Sequence, residues 1–460
     1  MLIELLREAS TADPDKAVIL PAAGEPVSYV ECLARSERLA QGLRRRGINR
    51  FACLVRDPAD VIALLCAASA VGAEPCLYPP DLGDAGIGEL STAFDHRVVV
   101  GDRPVAVDGV ETVGLGDLAP HDSGDPAVAD RPAAAPVLIL TSGTTGRPKG
   151  ARHDWARLAA RPRAGRRPGP ADPAGARWLL AYNLNQFAGI QVLLHVLATG
   201  ATLVVGASNQ PRDALAAMRR TGVTHVSATP TFWRFVTGLL DEATAAELPL
   251  QQITLGGEAV PEHVLGELRR LFPAVKISQI YASTESGSGL SVTDVSNGLP
   301  AAVLDRGDDA DVAMRIVDGQ LEIRSRVGMV GYYGEPELGD DHWRPTGDLV
   351  ELRDGRIHFV GRAFETINVG GVKVHPLPVE EAVGAVAGVE VAHAYGRKNP
   401  MTGQIVAVDV VVRPGADTEV VEDAIRAACE VLPPAAQPRR IRFVDALDLT
   451  GGKIARKAGP

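Results

Sequence analysis

Apolar residues recur with two alternating spacings along the first third of the chain. Residues 29–47 and 61–73 have apolar positions at helical spacing, which predicts two helices. Between them, FACLV at 51–55 is a short apolar run of the kind found in buried strands, and PVLILT at 136–141 is another. This alternation of helices and strands is typical of an α/β fold.

The same alternation continues over residues 201–282. Helices are predicted around DALAAMRR, TFWRFVTGLL and EHVLGELRRLF. They separate four predicted strands, ATLVV, VTHVSA, QQITLGG and AVKISQIYA. Strands joined through helices pair in parallel, so the pattern predicts mostly parallel, helix-covered sheets.

The pattern changes near residue 312 to short strands joined by Asp-Gly dipeptides, which predict hairpins. We expect a β-rich subdomain over residues 312–361, followed by a small α+β unit. The chain has 460 residues, more than one hydrophobic core usually spans. The sequence therefore predicts a large N-terminal domain over residues 1–362 and a small, mobile C-terminal lid domain over residues 363–460.

Two segments without regular spacing are predicted to be loops, residues 102–136 and residues 157–177. The second segment is rich in arginine, and its side chains could either meet phosphates or form a solvated basic loop. The arginines concerned are Arg157, Arg161, Arg163, Arg166 and Arg167.

Composition narrows the class of protein. Hydrophobic residues make up 46% and charged residues 23%, as in soluble globular proteins. A net charge of -10 disfavours a nucleic-acid partner. Neither a signal peptide nor a run of about 20 apolar residues is evident, which predicts a cytoplasmic protein without a membrane partner. The five cysteines include no CxxC pair, so we expect reduced thiols rather than disulfides or a zinc site.

The strongest chemical signal is the segment TSGTTGRPKG, which runs from Thr141 to Gly150 directly after a predicted strand. Its glycines allow the backbone to approach a polyphosphate, its hydroxyl and amide groups can donate hydrogen bonds, and Lys149 offsets negative charge. The segment does not fit the Walker A pattern. It is therefore predicted to be a phosphate-binding loop of another kind.

TSGTTGRPKG resembles the signature loop of the acyl- and aryl-adenylate-forming superfamily, which includes acyl-CoA synthetases, carrier-protein adenylation domains and luciferase-like enzymes. The resemblance extends over nearly the whole chain, with further motifs in the expected order. It implies that this loop binds ATP. The residues implied are Thr141, Ser142, Gly143, Thr144, Thr145 and Lys149.

Two further motifs resemble those around the base and the α-phosphate. GGE at Gly256, Gly257 and Glu258 resembles the segment that lines the adenine pocket. YASTE resembles the family's YGxTE, which implies that Tyr281 flanks adenine, Thr284 contacts the α-phosphate and Glu285 holds Mg²⁺. Here Ala282 replaces the usual glycine. A carboxylate combined with substrate phosphates is a common Mg²⁺ site.

The later motifs resemble those that hold the ribose and supply the catalytic cation. TGD implies that Asp348 binds the ribose hydroxyls, and GR implies that Arg362 holds the nucleotide. Lys373 falls near a position that often contacts phosphate. Lys453, in TGGKIAR, resembles the adenylation lysine, which the family's small domain withdraws after the first half-reaction. Phe364 stands where a polar hinge residue is usual, which leaves that rotation open.

The resemblance also indicates where an acid would bind, around the predicted helix at 183–191. The polar run NLNQFAG favours a small or polar acid over a long fatty chain. In the other interpretation, these amides cap a helix or face solvent. The candidate substrate residues are Asn183, Gln186, Phe187, Gly256, Ala282 and Ser283.

These motifs imply an AMP-forming ligase that uses ATP and Mg²⁺ to adenylate a small polar or aromatic acid, with Lys453, Thr284 and Glu285 as catalytic residues. The leading hypothesis transfers the acyl group to a thiol, on CoA or on a phosphopantetheine carrier protein. A second hypothesis transfers it to nitrogen, as in an amide synthetase or a diazotase that activates nitrite. A third is a nucleotide-binding protein without catalysis.

Overall fold

The computed structural model describes residues 1–118, 132–141, 148–164, 175–293, 296–307, 309–450 and 453–454. The chain forms two compact units. Unit 1 consists of Met1–Ser227, Tyr281–Gly289 and Ser325–His342, and unit 2 consists of Ala228–Ile280, Leu290–Arg324 and Trp343–Pro460. The predicted domain boundary at residue 362 falls inside unit 2 and stays a prediction.

The α-helices within the described ranges are α1 (Leu2–Ala12), α2 (Tyr29–Arg45), α3 (Pro58–Val71), α4 (Asp84–Phe94), α5 (Trp155–Ala164), α6 (Phe187–Thr199), α7 (Pro211–Thr221), α8 (Pro230–Thr237), α9 (Glu242–Ala246), α10 (Glu262–Leu271), α11 (Pro376–Gly384) and α12 (Thr418–Ala428).

The strands are β1 (Ala17–Leu20), β2 (Val27–Ser28), β3 (Arg50–Leu54), β4 (Glu74–Leu77), β5 (Val98–Gly101), β6 (Glu111–Gly114), β7 (Pro136–Thr141), β8 (Lys149–Asp154), β9 (Arg177–Leu179), β10 (Thr202–Val204), β11 (His225–Ala228), β12 (Gln252–Gly256), β13 (Lys276–Ser283), β14 (Gly287–Val292), β15 (Leu299–Pro300), β16 (Val312–Val317), β17 (Gln320–Ser325), β18 (Gly331–Tyr332), β19 (Arg344–Arg353), β20 (Arg356–Arg362), β21 (Ile367–Val369), β22 (Val372–Val374), β23 (Val389–Asn399), β24 (Gly403–Val412), β25 (Arg440–Phe443), β26 (Leu449–Thr450) and β27 (Lys453–Ile454).

Unit 1 contains a seven-stranded sheet in the order β18-β8-β7-β4-β3-β5-β6. Its strands from β7 to β6 are parallel, whereas β8 and β18 are added antiparallel at one edge. The apolar runs predicted as buried strands become β3 and β7, and α2 and α3 cover the core. The predicted α/β fold with parallel sheets is confirmed.

Unit 2 contains an antiparallel sheet in the order β15-β20-β19-β17-β16, and its two hairpins confirm the Asp-Gly signals. In the first turn φ is 50° at Asp318 and 76° at Gly319, and in the second it is 53° at Asp354 and 71° at Gly355. Two consecutive residues with positive φ match the twist of the flanking strands, which is why this dipeptide is favoured there. A further sheet, β22-β21-β24-β23 with β25 beside β24, carries α11 and α12.

The prediction of a loop over residues 157–177 is wrong for its first part, because α5 runs from Trp155 to Ala164. Trp155, Leu158 and Ala159 are buried at helical spacing, and this apolar face outweighs the arginine and proline content. The predicted loop at 102–136 contains β6. In both segments the apolar residues are few and stand among polar ones, so the sequence pattern did not predict a helix or a strand.

Arginines on α5 contact acidic side chains of the protein. Arg157 Nη1 lies 2.9 Å from Asp340 Oδ1, and Arg163 Nη2 lies 3.5 Å from Glu4 Oε2. Arg166 and Arg167 lie outside the described residues. The ion pairs therefore support the interpretation of Arg157 and Arg163 as structural surface residues.

All five cysteines are free thiols, as predicted, and all five are buried. Burial raises the pKa of Cys32 and of Cys53 to about 12, so these thiols stay protonated at neutral pH. Within the described ranges, no helix combines the length and the apolarity that crossing a membrane requires.

Candidate functional site

The predicted phosphate loop connects the hairpin strands β7 and β8. Thr141 ends β7 and pairs with Lys149, which begins β8. Because β7 belongs to the parallel part of the sheet, Thr141 lies at the carboxyl end of a parallel strand, where α/β sheets bind ligands. The predicted residues of this loop that lie outside the described ranges are Ser142, Gly143, Thr144 and Thr145.

The YASTE motif divides at the end of β13. Tyr281, Ala282 and Ser283 are the last residues of the strand, and Thr284 and Glu285 lie in the turn that follows. The backbone N–H of Met329 donates to the carbonyl oxygen of Glu285 at 3.0 Å. This bond fixes the turn against the segment that leads into β18.

Tyr332, which sequence reasoning missed, joins two of the predicted residues. Its hydroxyl donates a hydrogen bond to Oε1 of Glu285 at 3.1 Å. The ammonium nitrogen of Lys149 lies 4.7 Å from the centroid of its ring, within the range of a cation–π interaction. Within unit 1, the lysine of the phosphate loop and the predicted Mg²⁺ ligand therefore contact the same tyrosine.

The predicted acid-binding segment makes several local contacts. The backbone N–H of Asn183 donates to Oε1 of Gln186 at 3.2 Å, and Asn209 Nδ2 donates to Oδ1 of Asn183 at 2.6 Å. Phe187 begins α6 and is buried beside His153, with ring centroids 5.8 Å apart. These contacts support the interpretation that the amides stabilise the turn before α6, and their role toward an acid stays a prediction.

In unit 2, Lys453 lies against the adenine motif. Gly257 has φ of +84°, and a β-carbon built on it would lie 3.0 Å from Cε and 3.2 Å from Nζ of Lys453. Gly256 ends β12, where it pairs with Ile280 of β13. The lysine predicted for catalysis therefore lies beside the backbone predicted to line the adenine pocket, although the two motifs are far apart in sequence.

Glu258 caps a helix. Its Oε2 accepts a hydrogen bond from the backbone N–H of Thr231 at 3.1 Å, in the first turn of α8. Thr229 Oγ1 accepts from the N–H of Phe232 at 3.0 Å in the same turn. A carboxylate is stabilised at a helix N-terminus, so Glu258 has a structural role here, and a contact with adenine stays a prediction.

Asp348 and Arg362 form a cross-strand ion pair. They are register partners in β19 and β20, and Arg362 Nε lies 3.0 Å from Asp348 Oδ1. The N–H of Asp348 donates to Thr346 Oγ1 at 3.1 Å, and that hydroxyl donates to the carbonyl oxygen of Leu321 at 2.8 Å. Hydrogen bonds thus connect Thr346, Asp348 and Arg362, the residues of TGD and GR that carry polar side chains.

The predicted hinge residue, Phe364, and Lys373 lie on the surface of unit 2. Phe364, in a short 3₁₀ turn, is 55% exposed, and its ring centroid lies 5.8 Å from Cζ of Arg362. Lys373 is exposed on β22, opposite Asn368. The apolar residue at the predicted hinge position therefore contacts the arginine of the preceding motif.

The carboxylate of Glu285 fits a Mg²⁺ ion that is bound together with substrate phosphates. Among the side chains that the structure describes, no group of three His, Cys, Asp or Glu residues could enclose a metal ion. Mg²⁺ commonly takes one or two carboxylates and completes its shell with phosphate and water oxygens. Glu285, which follows the strand end, provides a carboxylate of that kind.

Two family models match this chain. One described as AMP-binding enzyme matches residues 6–333, and one described as AMP-binding enzyme C-terminal domain matches residues 378–453. The first match covers more than half of the chain. The combination agrees with the order of the motifs that the structure places in units 1 and 2.

Individual proteins align over nearly the whole chain. Feruloyl-CoA synthase from Amycolatopsis sp is 28% identical over 94% of this chain and 93% of its own length. Tyrocidine synthase 3 from Brevibacillus parabrevis is 28% identical over 100% of this chain, which spans 8% of that protein. A solved structure of the anthranilate CoA ligase AuaEII with anthranoyl-AMP has a TM-score of 0.83 and 19% identity, covering 98% of this chain and 95% of that one. This likeness confirms the fold.

Proposed function

Because the chain belongs to the AMP-binding enzyme family, we propose that it uses ATP to convert a small acid into an acyl-adenylate. The observation that carries the proposal is the position of Lys453, whose ammonium lies beside Gly257 of the adenine motif. A lysine at this position can act on a nucleotide bound beside Gly257. The proposal includes the cytoplasmic location that buried thiols favour.

In the first half-reaction, an oxygen of the substrate carboxylate forms a bond to the α-phosphorus of ATP. The bond from that phosphorus to the oxygen bridging the β-phosphate breaks, and pyrophosphate leaves with the electron pair. Negative charge moves from the carboxylate to pyrophosphate, so a cation placed between them stabilises the transition state more than the ground state. Lys453 supplies this cation.

The family motifs assign separate contacts with the nucleotide to individual residues. Asp348 can accept hydrogen bonds from both ribose hydroxyls, and its ion pair with Arg362 orients the carboxylate. Tyr281 flanks adenine, and Thr284 donates to the α-phosphate. Lys149 contributes positive charge toward the outer phosphates.

Glu285 would hold Mg²⁺ together with phosphate oxygens, and the ion would neutralise charge on the departing pyrophosphate. The Glu285 side chain is oriented by the hydrogen bond that it accepts from the Tyr332 hydroxyl, and the ammonium of Lys149 lies over the ring of the same tyrosine.

The acid in this proposal is small and either polar or aromatic. The polar segment that contains Asn183 and Gln186 favours a polar group. The similarity to feruloyl-CoA synthase, which is named for an aromatic acid, supports an aromatic substrate. Phe187 is buried beside His153 and would form an apolar wall for a ring.

The acceptor we propose is a thiol, on CoA or on a carrier protein. The thiolate attacks the acyl carbon, its new bond replaces the bond to the phosphate oxygen, and AMP leaves. Phe364 at the hinge keeps a nitrogen acceptor as the second candidate, because a changed hinge alters how the second nucleophile is admitted.

A panel of acids tests both half-reactions, adenylation and transfer to the acceptor. Purified protein is incubated with ATP, Mg²⁺ and each acid, and pyrophosphate is measured alone, with CoA, and with amines. Acid-dependent pyrophosphate with thioester formed from CoA supports the proposal. Product with an amine and none with any thiol moves the second step to nitrogen, and no pyrophosphate with any acid contradicts adenylation.

A further inference from the structure

We propose that Tyr332 is a positioning residue for the metal and phosphate end of the nucleotide site. Its hydroxyl orients the carboxylate of Glu285, and its ring holds the ammonium of Lys149. This inference rests on the proposed function, because both contacts matter only if Glu285 binds Mg²⁺ and Lys149 meets phosphate. The two residues come from separate motifs, and Tyr332 belongs to neither of them.

The backbone holds the ring from two sides. Tyr332 lies in β18 and pairs with Ala151 of β8, two residues after Lys149. The carbonyl of Glu285 accepts from Met329, which precedes β18, and Tyr333 N–H donates to the carbonyl of Gly150 at 2.8 Å. The short strand therefore fixes the separation between the start of β8 and the turn after β13.

Tyr333, the next residue, contacts a different group. Its hydroxyl accepts from Arg50 Nη1 at 3.0 Å, and the guanidinium carbon of Arg50 lies 4.2 Å from its ring centroid. Arg50 in turn pairs with the buried Glu74 at 2.5 Å. Tyr333 lies just after the end of β18 and contacts Arg50 of β3, whereas Tyr332 contacts Glu285 and Lys149. One tyrosine therefore contacts the predicted site residues, and the other contacts a neighbouring strand.

The chemistry of the two contacts suits a positioning role. Mg²⁺ requires near-octahedral geometry, so a carboxylate that is fixed at one oxygen binds the ion with less loss of side-chain freedom. An aromatic face attracts an ammonium without neutralising it, whereas a carboxylate partner would cancel the charge that phosphate needs. Tyr332 therefore orders Glu285 and Lys149 while leaving the charge of each available to the ligand.

Two substitutions separate the two contacts. Tyr332→Phe removes the hydrogen bond to Glu285 and keeps a ring under Lys149, whereas Tyr332→Leu removes both. Tyr333→Phe is the matched control, because it removes the hydroxyl that accepts from Arg50. That control is expected to lower the midpoint of thermal unfolding without changing how the protein uses Mg²⁺.

The measurements are the Mg²⁺ concentration needed for half-maximal pyrophosphate formation, and calorimetric binding of ATP with Mg²⁺ and with a chelator. We expect Tyr332→Phe to raise the Mg²⁺ requirement about tenfold and to leave metal-free ATP binding unchanged. Tyr332→Leu should also weaken metal-free ATP binding by about threefold or more, because Lys149 loses its ring.

The outcomes separate this inference from the proposed function. If the wild-type protein binds MgATP but forms no pyrophosphate with any acid, adenylation is wrong, and the binding arm still decides the role of Tyr332. A Tyr332→Phe protein with wild-type binding in the presence of Mg²⁺ would overturn the inference, as would an equal shift in Tyr333→Phe. A wild-type protein that binds no ATP would overturn both.

Discussion

The side chain of Lys453 lies against the backbone of Gly257, with Nζ 3.2 Å from the point where a β-carbon of that residue would stand. The lysine comes from the last motif of the chain and the glycine from the middle. A β-carbon at this position would require the lysine side chain to shift. This contact links the predicted catalytic cation to the predicted adenine pocket within unit 2.

Replacing Lys453 with alanine should slow adenylation about a thousandfold and leave ATP binding nearly unchanged, because the ammonium acts on charge that develops in the transition state. The measurement is acid-dependent pyrophosphate exchange together with calorimetric ATP binding. Lys398→Ala, at an exposed lysine of β23, is the control. An unchanged exchange rate in Lys453→Ala would remove this lysine from the mechanism.

Replacing Gly257 with alanine should lower adenylation by about tenfold, since a β-carbon 3.0 Å from Cε of Lys453 forces the lysine to move. The substitution also strains the backbone at φ of +84°. Gly415→Ala separates the two effects, because Gly415 has φ of +83° with no atom within 4 Å of its β-carbon position. Equal losses of activity in both variants would mean that backbone strain, and not the lysine, is responsible.

Replacing Asp348 with asparagine should raise the KM for ATP by about tenfold to a hundredfold, with a smaller effect on kcat, because a charged hydrogen-bond acceptor for the ribose is lost. Steady-state kinetics at saturating acid give both constants. Asp340→Asn, which removes the 2.9 Å ion pair with Arg157, is the matched control and should leave KM unchanged. A KM for ATP that stays at the wild-type value in Asp348→Asn would contradict the ribose role.

His96 should make the protein less stable in mild acid. Burial lowers its pKa from 6.5 to about 4, and its Nδ1 is hydrogen-bonded to the Tyr78 hydroxyl at 2.8 Å. Between these pKa values the unfolded chain binds a proton that the folded chain does not. The free energy of unfolding therefore falls as the pH falls through this window, by about 3 kcal/mol in total, and His96 adds no further change below the lower pKa.

Urea unfolding above this window, at about pH 7, and within it, at about pH 5, measures the fall in stability. His96→Gln should flatten the pH dependence, whereas His342→Gln, at an exposed histidine, should not. The same slope in wild type and His96→Gln would show that other groups cause the loss of stability in acid.

Features set by neighbouring residues could be predicted from the sequence. The hairpin turns at Asp318 and Asp354 need only the dipeptide, because positive φ at consecutive residues is a local property. Helix α5 was missed because Trp155 and Leu158 form a short apolar face within an arginine-rich segment. Burial against the rest of unit 1, which no local pattern shows, decides that helix.

Contacts between distant segments could be predicted only in part. The family motifs identified Lys149 and Glu285 as candidates, yet the tyrosine that joins them depends on the pairing of β18 with β8. Nothing in the spacing of Gly331, Tyr332 and Tyr333 indicates which tyrosine contacts which side. The roles of the predicted site residues themselves stay predictions.

The measurement that tests adenylation most directly follows heavy oxygen from the carboxylate of the acid. The acid is labelled at both carboxylate oxygens, and the products of one turnover with ATP and an acceptor are analysed by mass spectrometry. Attack on the α-phosphorus predicts that AMP carries one labelled oxygen and that pyrophosphate carries none. Label in inorganic phosphate together with ADP, or AMP without label, would contradict an acyl-adenylate.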